Sequence, residues 1–189
     1  MATIGGDRRI TAFLDLIAAS EGTSCNPFTK SDGYDIIVSG IDGHHRFDDF
    51  SAHPFEGGRP PILVRAATCA GFHNDPDEPA SAIVAREKAH AAIYSTASGR
   101  YQITLETWRE LAATLHINLF SPSCQDSAAM VLLFQRRADS LLLQGMCAEA
   151  ILACNKVWAS FPGNDYGQGG RSLDWLISTY HTMLAGQSE

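Results

Sequence analysis

A carboxylate at the end of an amphipathic helix constrains this chain more than any other feature. Ile10, Phe13, Leu14 and Ile17 recur at three- and four-residue spacing, so a helix from roughly Arg8 to Ser20 buries them as one stripe. Glu21 follows Ile17 by four residues and prolongs that stripe. Gly22 then supplies a residue that leaves a helix with positive φ at no steric cost. Ser20-Glu21-Gly22-Thr23 therefore puts an acid at the buried-facing end of a helix. Ionising a carboxyl group there is costly, which raises its pKa and suits it to general acid work near neutral pH. The plain alternative is a partly exposed helix-end glutamate, and the rest of the chain decides between the two.

With 189 residues, the chain fits one domain, or one domain with a sizeable excursion. Hydrophobic residues make up 45%, enough to bury a real core. A net charge of -7 argues against a nucleic-acid binder, which needs a basic face. The five cysteines (Cys25, Cys69, Cys124, Cys147 and Cys154) are odd in number and form no C-x-x-C. They read as free thiols in a reducing compartment, with Cys124, Cys147 and Cys154 as small buried hydrophobes on helices. Ile10 to Ala19 contains Asp15 and lacks a continuous apolar core, so neither a signal peptide nor a membrane span is expected.

Along the chain, Met1 to Gly6 reads as a loose tail and Thr23 to Gly33 as a loop rich in turn residues. Tyr34 to Ser39 is a β-rich run, Gly40-Ile41-Asp42-Gly43 a turn, and His44 to Phe50 the returning strand of a hairpin. Gly99 to Thr104 is expected to add a third strand. Between them, Phe55 to Tyr94 carries Gly-Pro and Asp-Pro punctuation and a helix-competent Ala80 to Ile93. The C-terminal half is helical. Thr104 caps a helix with Leu105, Trp108, Leu111, Ala112 and Leu115 as its stripe. Ser121-Pro122 starts a mostly apolar helix reaching about Leu143, which Gly145 ends. Cys147 to Ser160 is expected to follow as a helix with Ile151, Cys154 and Trp158 inward, and Ser172 caps the last one.

Five blocks stand in a fixed order: Ser20-Glu21-Gly22-Thr23, Gly33-Tyr34-Asp35, Phe47-Asp48-Asp49-Phe50-Ser51-Ala52-His53-Pro54, Ser98-Gly99-Arg100-Tyr101-Gln102, and Trp158-Ala159-Ser160-Phe161-Pro162-Gly163 with Tyr166-Gly167-Gln168. In this order they resemble the lambda-type phage endolysins, from about Thr11 to about Tyr180. The resemblance implies an α+β, lysozyme-like fold: a small antiparallel sheet lobe and a helical lobe with a cleft between them, in one domain over residues 1–189. Residues 55–94 then read as an insertion. It further implies a lytic transglycosylase that cleaves peptidoglycan without a cofactor. The enzyme would act as a monomer, wait in the host cytoplasm and depend on a holin to reach the periplasm and the cell wall.

On that resemblance Glu21 is the catalytic residue. Gln102 lies where such enzymes place an amide beside the acid or the sugar N-acetyl group, and Tyr166 resembles a tyrosine that approaches the sugar. Tyr101, Asp35, Ser51 and Arg100 complete the expected substrate contacts. Tyr101 is also a candidate for the core and Asp35 for tying down its loop, while Arg100 would offer local attraction to an anionic wall polymer. Ser51 and His53 are expected at the lip of the cleft, His53 without a role as a base. Metal binding is not expected, since His73, Asp75, Asp77, Glu78 and His90 lack a ligand spacing. Three rivals remain open: a hydrolase of the same fold, in which Asp32, Asp35, Asp48 or Asp49 would assist; a bacterial effector with the same activity; and a non-catalytic wall binder.

Overall fold

Helix α1 (Arg8–Ser20) packs chiefly on the C-terminal helix over residues 173–186. The structure, a computed structural model, describes residues 1–3, 5–68, 79–163 and 170–187. The Asp7 carboxylate caps α1 by accepting from the Arg9 N–H. Every residue from Ala12 to Ala18 is buried, so α1 is enclosed on more than its one predicted stripe. Phe13 meets Phe161 and Tyr180 edge to face, with ring centroids 6.0 and 6.2 Å apart. Burying an aromatic of this size stabilises the fold by about 1.5–3 kcal/mol.

The predicted hairpin forms from β1 (Ile36–Gly40) and β2 (Gly43–Arg46), with Ile36 opposite Arg46 and Ile37 opposite His45. β2 stops at Arg46 rather than Phe50, because Phe47 turns into the core against Phe120 at 5.8 Å. The excursion after Phe55 holds more than its helix. β3 (Ile62–Arg65) and β4 (Ile93–Ser95) pair antiparallel around α2 (Ala80–His90). This second two-stranded sheet sits against the first: the Ile41 N–H donates to Leu63 O at 2.9 Å. A Cβ on Gly40 would lie 2.5 Å from the Ile62 side chain, so the glycine permits that approach.

Gly99 to Thr104 is not a strand. Ser98 and Ile103 bridge each other across a tight turn, and Ser98 also bridges Ile37. Gln102 takes φ +49° inside that turn, which strand geometry forbids. The tail is not loose either. The Ala2 N–H donates to Asp15 at 2.8 Å, and the Thr3 N–H and hydroxyl both donate to Asp126 at 2.6 Å.

The helical half follows the caps read from the sequence. α3 (Leu105–Leu115) is capped by Thr104, α4 (Pro122–Gln135) by Ser121 and α7 (Leu173–Gly186) by Ser172, each side chain accepting a backbone N–H. The long helix predicted up to Leu143 is interrupted. Arg137 adopts φ +56° and a separate α5 (Ala138–Leu143) begins there. α6 (Cys147–Ala153) is likewise shorter than expected, although Ile151, Cys154 and Trp158 do point inward. Cys25, Cys124, Cys147 and Cys154 are free thiols, of which Cys147 and Cys154 are buried; Cys69 lies outside the described residues.

Candidate active site

The end of α1 is held by a double hydrogen-bonded cap. Glu21 keeps near-helical dihedrals (φ -74°, ψ -8°), and its N–H donates to Ile17 O at 2.9 Å. Gly22 turns left-handed at φ +71°. The Gly22 N–H reaches Ala19 O at 3.1 Å and the Thr23 N–H reaches Ala18 O at 2.9 Å, which is the Schellman arrangement. Thr23 is buried, and its hydroxyl is shared between Arg100 O at 2.6 Å and Ala18 O at 3.1 Å. A Cβ on Gly33 would stand 2.8 Å from the Thr23 carbonyl carbon, so only glycine lets the next loop pack there. The backbone that carries the acid is thus fixed from both sides.

The half-buried Glu21 side chain lines a groove of about 290 Å³. Val38, Val64, Ile93 and Tyr94 from the two small sheets form one part of its lining. Gln102, Val157, Trp158 and Ala159 form another. Three of these residues (Val64, Ile93 and Tyr94) come from the 55–94 excursion. No other carboxylate lines the groove among the described residues.

Ser160 is the acid's hydrogen-bond partner. Its hydroxyl donates to Glu21 Oε1 at 2.7 Å, and its backbone N–H also faces the carboxylate. Ser20 Oγ stands 2.9 Å from Ser160 Oγ and 2.8 Å from Ile17 O, so it braces the serine. Burial pushes the Glu21 pKa up, and the two Ser160 donors pull it only part of the way back. A larger concavity of about 360 Å³ lined by His53, Glu56, Trp108 and Arg109 does not include Glu21. Its two charged groups, Arg109 and Glu56, are spent on each other at 3.0 Å.

Gln102 faces the groove from the 98–103 turn. Its Nε2 and its backbone N–H both donate to Gly99 O, at 3.0 and 3.2 Å, which sets the amide in place. Gly99 (φ +75°) is demanded by Gln125: an added Cβ would meet Gln125 Oε1 at 2.1 Å. That buried amide accepts from the Arg100 N–H at 2.9 Å and donates to Tyr34 O and Phe120 O. Trp158 Nε1 donates to Tyr101 O at 3.0 Å. Gln125 and Ser160 escaped the sequence reading. Nothing local marks Gln125, whereas Ser160 sat inside a quoted block without a role.

Other expected contacts lie elsewhere. Arg100 is 1% exposed, paired with Asp15 at 2.7 Å and Asp32 at 2.9 Å, and stacked over Tyr34 at 5.2 Å. It therefore offers no attraction to a polymer outside. Tyr101 belongs to the core: its buried hydroxyl donates to Asp126 at 2.6 Å, and burial raises its pKa. Asp35 is buried and ties its loop, accepting from the Thr29 hydroxyl and from the Lys30 N–H at 2.9 Å, with Arg46 at 3.6 Å. Ser51 is exposed and does not line the groove; its N–H donates to Asp49. His53, expected at the lip, is 2% exposed and packed on Phe120, with Nε2 3.1 Å from Ile103 O. Burial lowers its pKa.

Tyr166, together with His73, Asp75, Asp77 and Glu78, lies outside the described residues. Among the described residues no group of three His, Cys, Asp or Glu side chains is placed to hold a metal ion.

The sequence model of the family described as Endolysin matches residues 11–187. The chain is 38% identical to the endolysin of Escherichia phage P2 over 183 residues, 96% of each chain. It is 32% identical to the endolysin of Escherichia phage lambda over 181 residues, 95% of this chain and 92% of that one. Bacteriophage lambda lysozyme complexed with a chitohexasaccharide superposes with a TM-score of 0.71 at 30% identity, covering 96% of this chain and 97% of that one. A second structure, lysozyme from bacteriophage lambda, gives a TM-score of 0.67 at 28% identity over the same shares.

Proposed function

The chain belongs to the endolysin family, and from that premise we propose that it cuts peptidoglycan as a lytic transglycosylase with Glu21 as its one catalytic carboxyl group. The family and the lysozyme-like fold make it a glycosidase of the bacterial cell wall. A chitohexasaccharide is the ligand of the lambda lysozyme structure, so a β-1,4-linked amino-sugar strand suits the groove here.

The observation that carries the finer reading is that, among the described residues, Glu21 is the one carboxyl group lining its groove. A two-carboxylate hydrolase needs a second acid across the scissile bond. The aspartates that stood open for that part are engaged elsewhere: Asp32 with Arg100, Asp35 with its own loop, Asp48 with Arg46 at 2.5 Å, and Asp49 with the Ser51 N–H. With a raised pKa, Glu21 holds the proton that the leaving oxygen needs. It protonates the oxygen linking MurNAc to GlcNAc while the C1–O bond breaks. The carboxylate so formed takes the proton of the muramic acid C6 hydroxyl as that oxygen closes on C1. The product is a 1,6-anhydro ring; no water is consumed and Glu21 returns to its starting state. Intramolecular attack spares the entropy of capturing a water, on the order of several kcal/mol. Gln102, held over Gly99 O, is positioned to bind a sugar amide.

In this reading Tyr166 joins the sugar contacts, residues 55–94 are an insertion in a single domain, and the monomer is released to the wall through a holin lesion during phage lysis. No helix among the described residues is long and apolar enough to cross a membrane. Mass spectrometry of digested peptidoglycan tests the chemistry. Anhydromuropeptides are the expected products, and reducing-end muropeptides would return the protein to the hydrolases.

A further inference from the structure

We propose that the groove of Glu21 opens past Gln102 into a second cleft that binds the ionised carboxylates of the peptide stem on the cleaved sugar, an inference resting on the peptidoglycan reading above. This cleft encloses about 340 Å³ and shares Gln102, Thr104, Val157 and Trp158 with the acid's groove. Arg136 and Lys156 lie on its wall, and no Asp or Glu among the described residues lines it. Both cations are exposed, and neither side chain is paired with a described residue. Arg9, Arg46, Arg100 and Arg109, by contrast, each hold a carboxylate. In a chain of net charge -7, two cations without a described partner, around a cleft that no described carboxylate lines, form a local anion trap.

The start of α3 adds to it. Thr104 and Thr107, at the helix N-terminus, line the same cleft and place the positive end of the helix dipole there. Glu106, on that first turn, is exposed and does not line the cleft.

The chemistry of the polymer selects the occupant. The bond to be broken leaves C1 of a muramic acid whose C3 carries the lactyl ether, and through it the peptide. A site for the peptide must therefore open directly off the acid's groove, as this cleft does. Stem peptides carry free carboxylates at neutral pH, and Arg136 and Lys156 offer one guanidinium and one ammonium to meet them.

The test compares native sacculi with sacculi whose carboxylates have been converted to methylamides. Anionic sacculi repel an acidic enzyme, so without an anion site amidation should speed the wild type. The proposal expects the opposite, a loss of several-fold. The double variant Arg136→Glu, Lys156→Glu should lose roughly ten-fold in kcat/KM on native sacculi, mainly through KM, since exposed ion pairs are individually modest. It should also lose the preference for native over amidated substrate, and Arg136→Lys, Lys156→Arg should keep that preference. Equal slowing of the double variant on both substrates, or a wild type that is faster on amidated sacculi, overturns the proposal. A wild type that cuts neither substrate overturns instead the peptidoglycan reading beneath it. A melting curve of each variant separates loss of the site from loss of the fold.

Discussion

Asp15 lies within α1 and Glu21 caps its C-terminal end, yet their surroundings treat them in opposite ways. Asp15 accepts from Arg100 at 2.7 Å, from the Ala2 N–H at 2.8 Å and from Gln187 at 3.2 Å. Among the described residues, Glu21 has the two donors of Ser160 and no cation, in a groove whose other walls are largely apolar. A buried carboxylate met by a guanidinium supports the fold. One left without a counter-charge is poised to hold a proton and hand it on. The contrast extends to the 98–103 turn, which sends Arg100 down into the first environment and Gln102 out into the second.

Replacing the two acids and their partners breaks the contrast in order of size. Glu21→Gln should cost at least 10² to 10⁴ in lytic rate, on the order expected for a general acid, in turbidity assays on permeabilised cells. Its melting temperature at pH 7 should not fall. The Glu21 pKa lies above its ordinary 4.5 in the folded state, so the folded protein binds a proton that the unfolded chain releases. Stability therefore drops as pH rises from about 4.5 through the folded pKa, and glutamine removes that drop. Any gain in melting temperature should vanish below pH 4.5. A Gln variant that lyses at the wild-type rate would erase the distinction between the two acids.

Arg100→Ala should act on stability, costing about 3–5 kcal/mol in urea titration, because it strands Asp15 without its buried partner. A cost under about 1 kcal/mol would mean that the cluster is not structural. Gly99→Ala should cost about 1–3 kcal/mol through its positive φ and the collision with Gln125. It should also reduce kcat/KM by moving Gln102. The smallest effect belongs to Ser160→Ala. Ser160 lowers the Glu21 pKa, so its loss should raise that pKa and move the alkaline limb of the pH–rate profile upward. A limb that stays in place, or moves down, would show that Ser160 does not tune the acid.

Much of the scaffold could be read along the chain. The stripe of α1, its glycine exit and the caps at Thr104, Ser121 and Ser172 are decided within a few residues, by periodicity and by orphan backbone donors. Glu21 was legible for the same reason, since its placement follows from spacing to Ile17. The errors fall where distant segments arbitrate. Alternation along a strand would set Arg100 and Gln102 on one face, with Tyr101 opposite. The turn abolishes that alternation, and its conformation answers to Gln125 and Trp158, 25 and 57 residues away from the groups they bond. β3 was invisible because its partner β4 lies beyond a helix, and four residues carry little period of their own.

Local chemistry alone thus settled that an acid closes a buried helix, that a glycine releases the chain after it, and where three later helices begin. Packing across the molecule settled that Arg100 is buried while Arg136 and Lys156 line a cleft without a described partner, that Tyr101 belongs to the core, and that the 55–94 excursion walls the groove. The reason is that a helix end satisfies its own backbone groups from neighbouring residues, whereas burial and charge pairing depend on whatever the rest of the chain brings alongside.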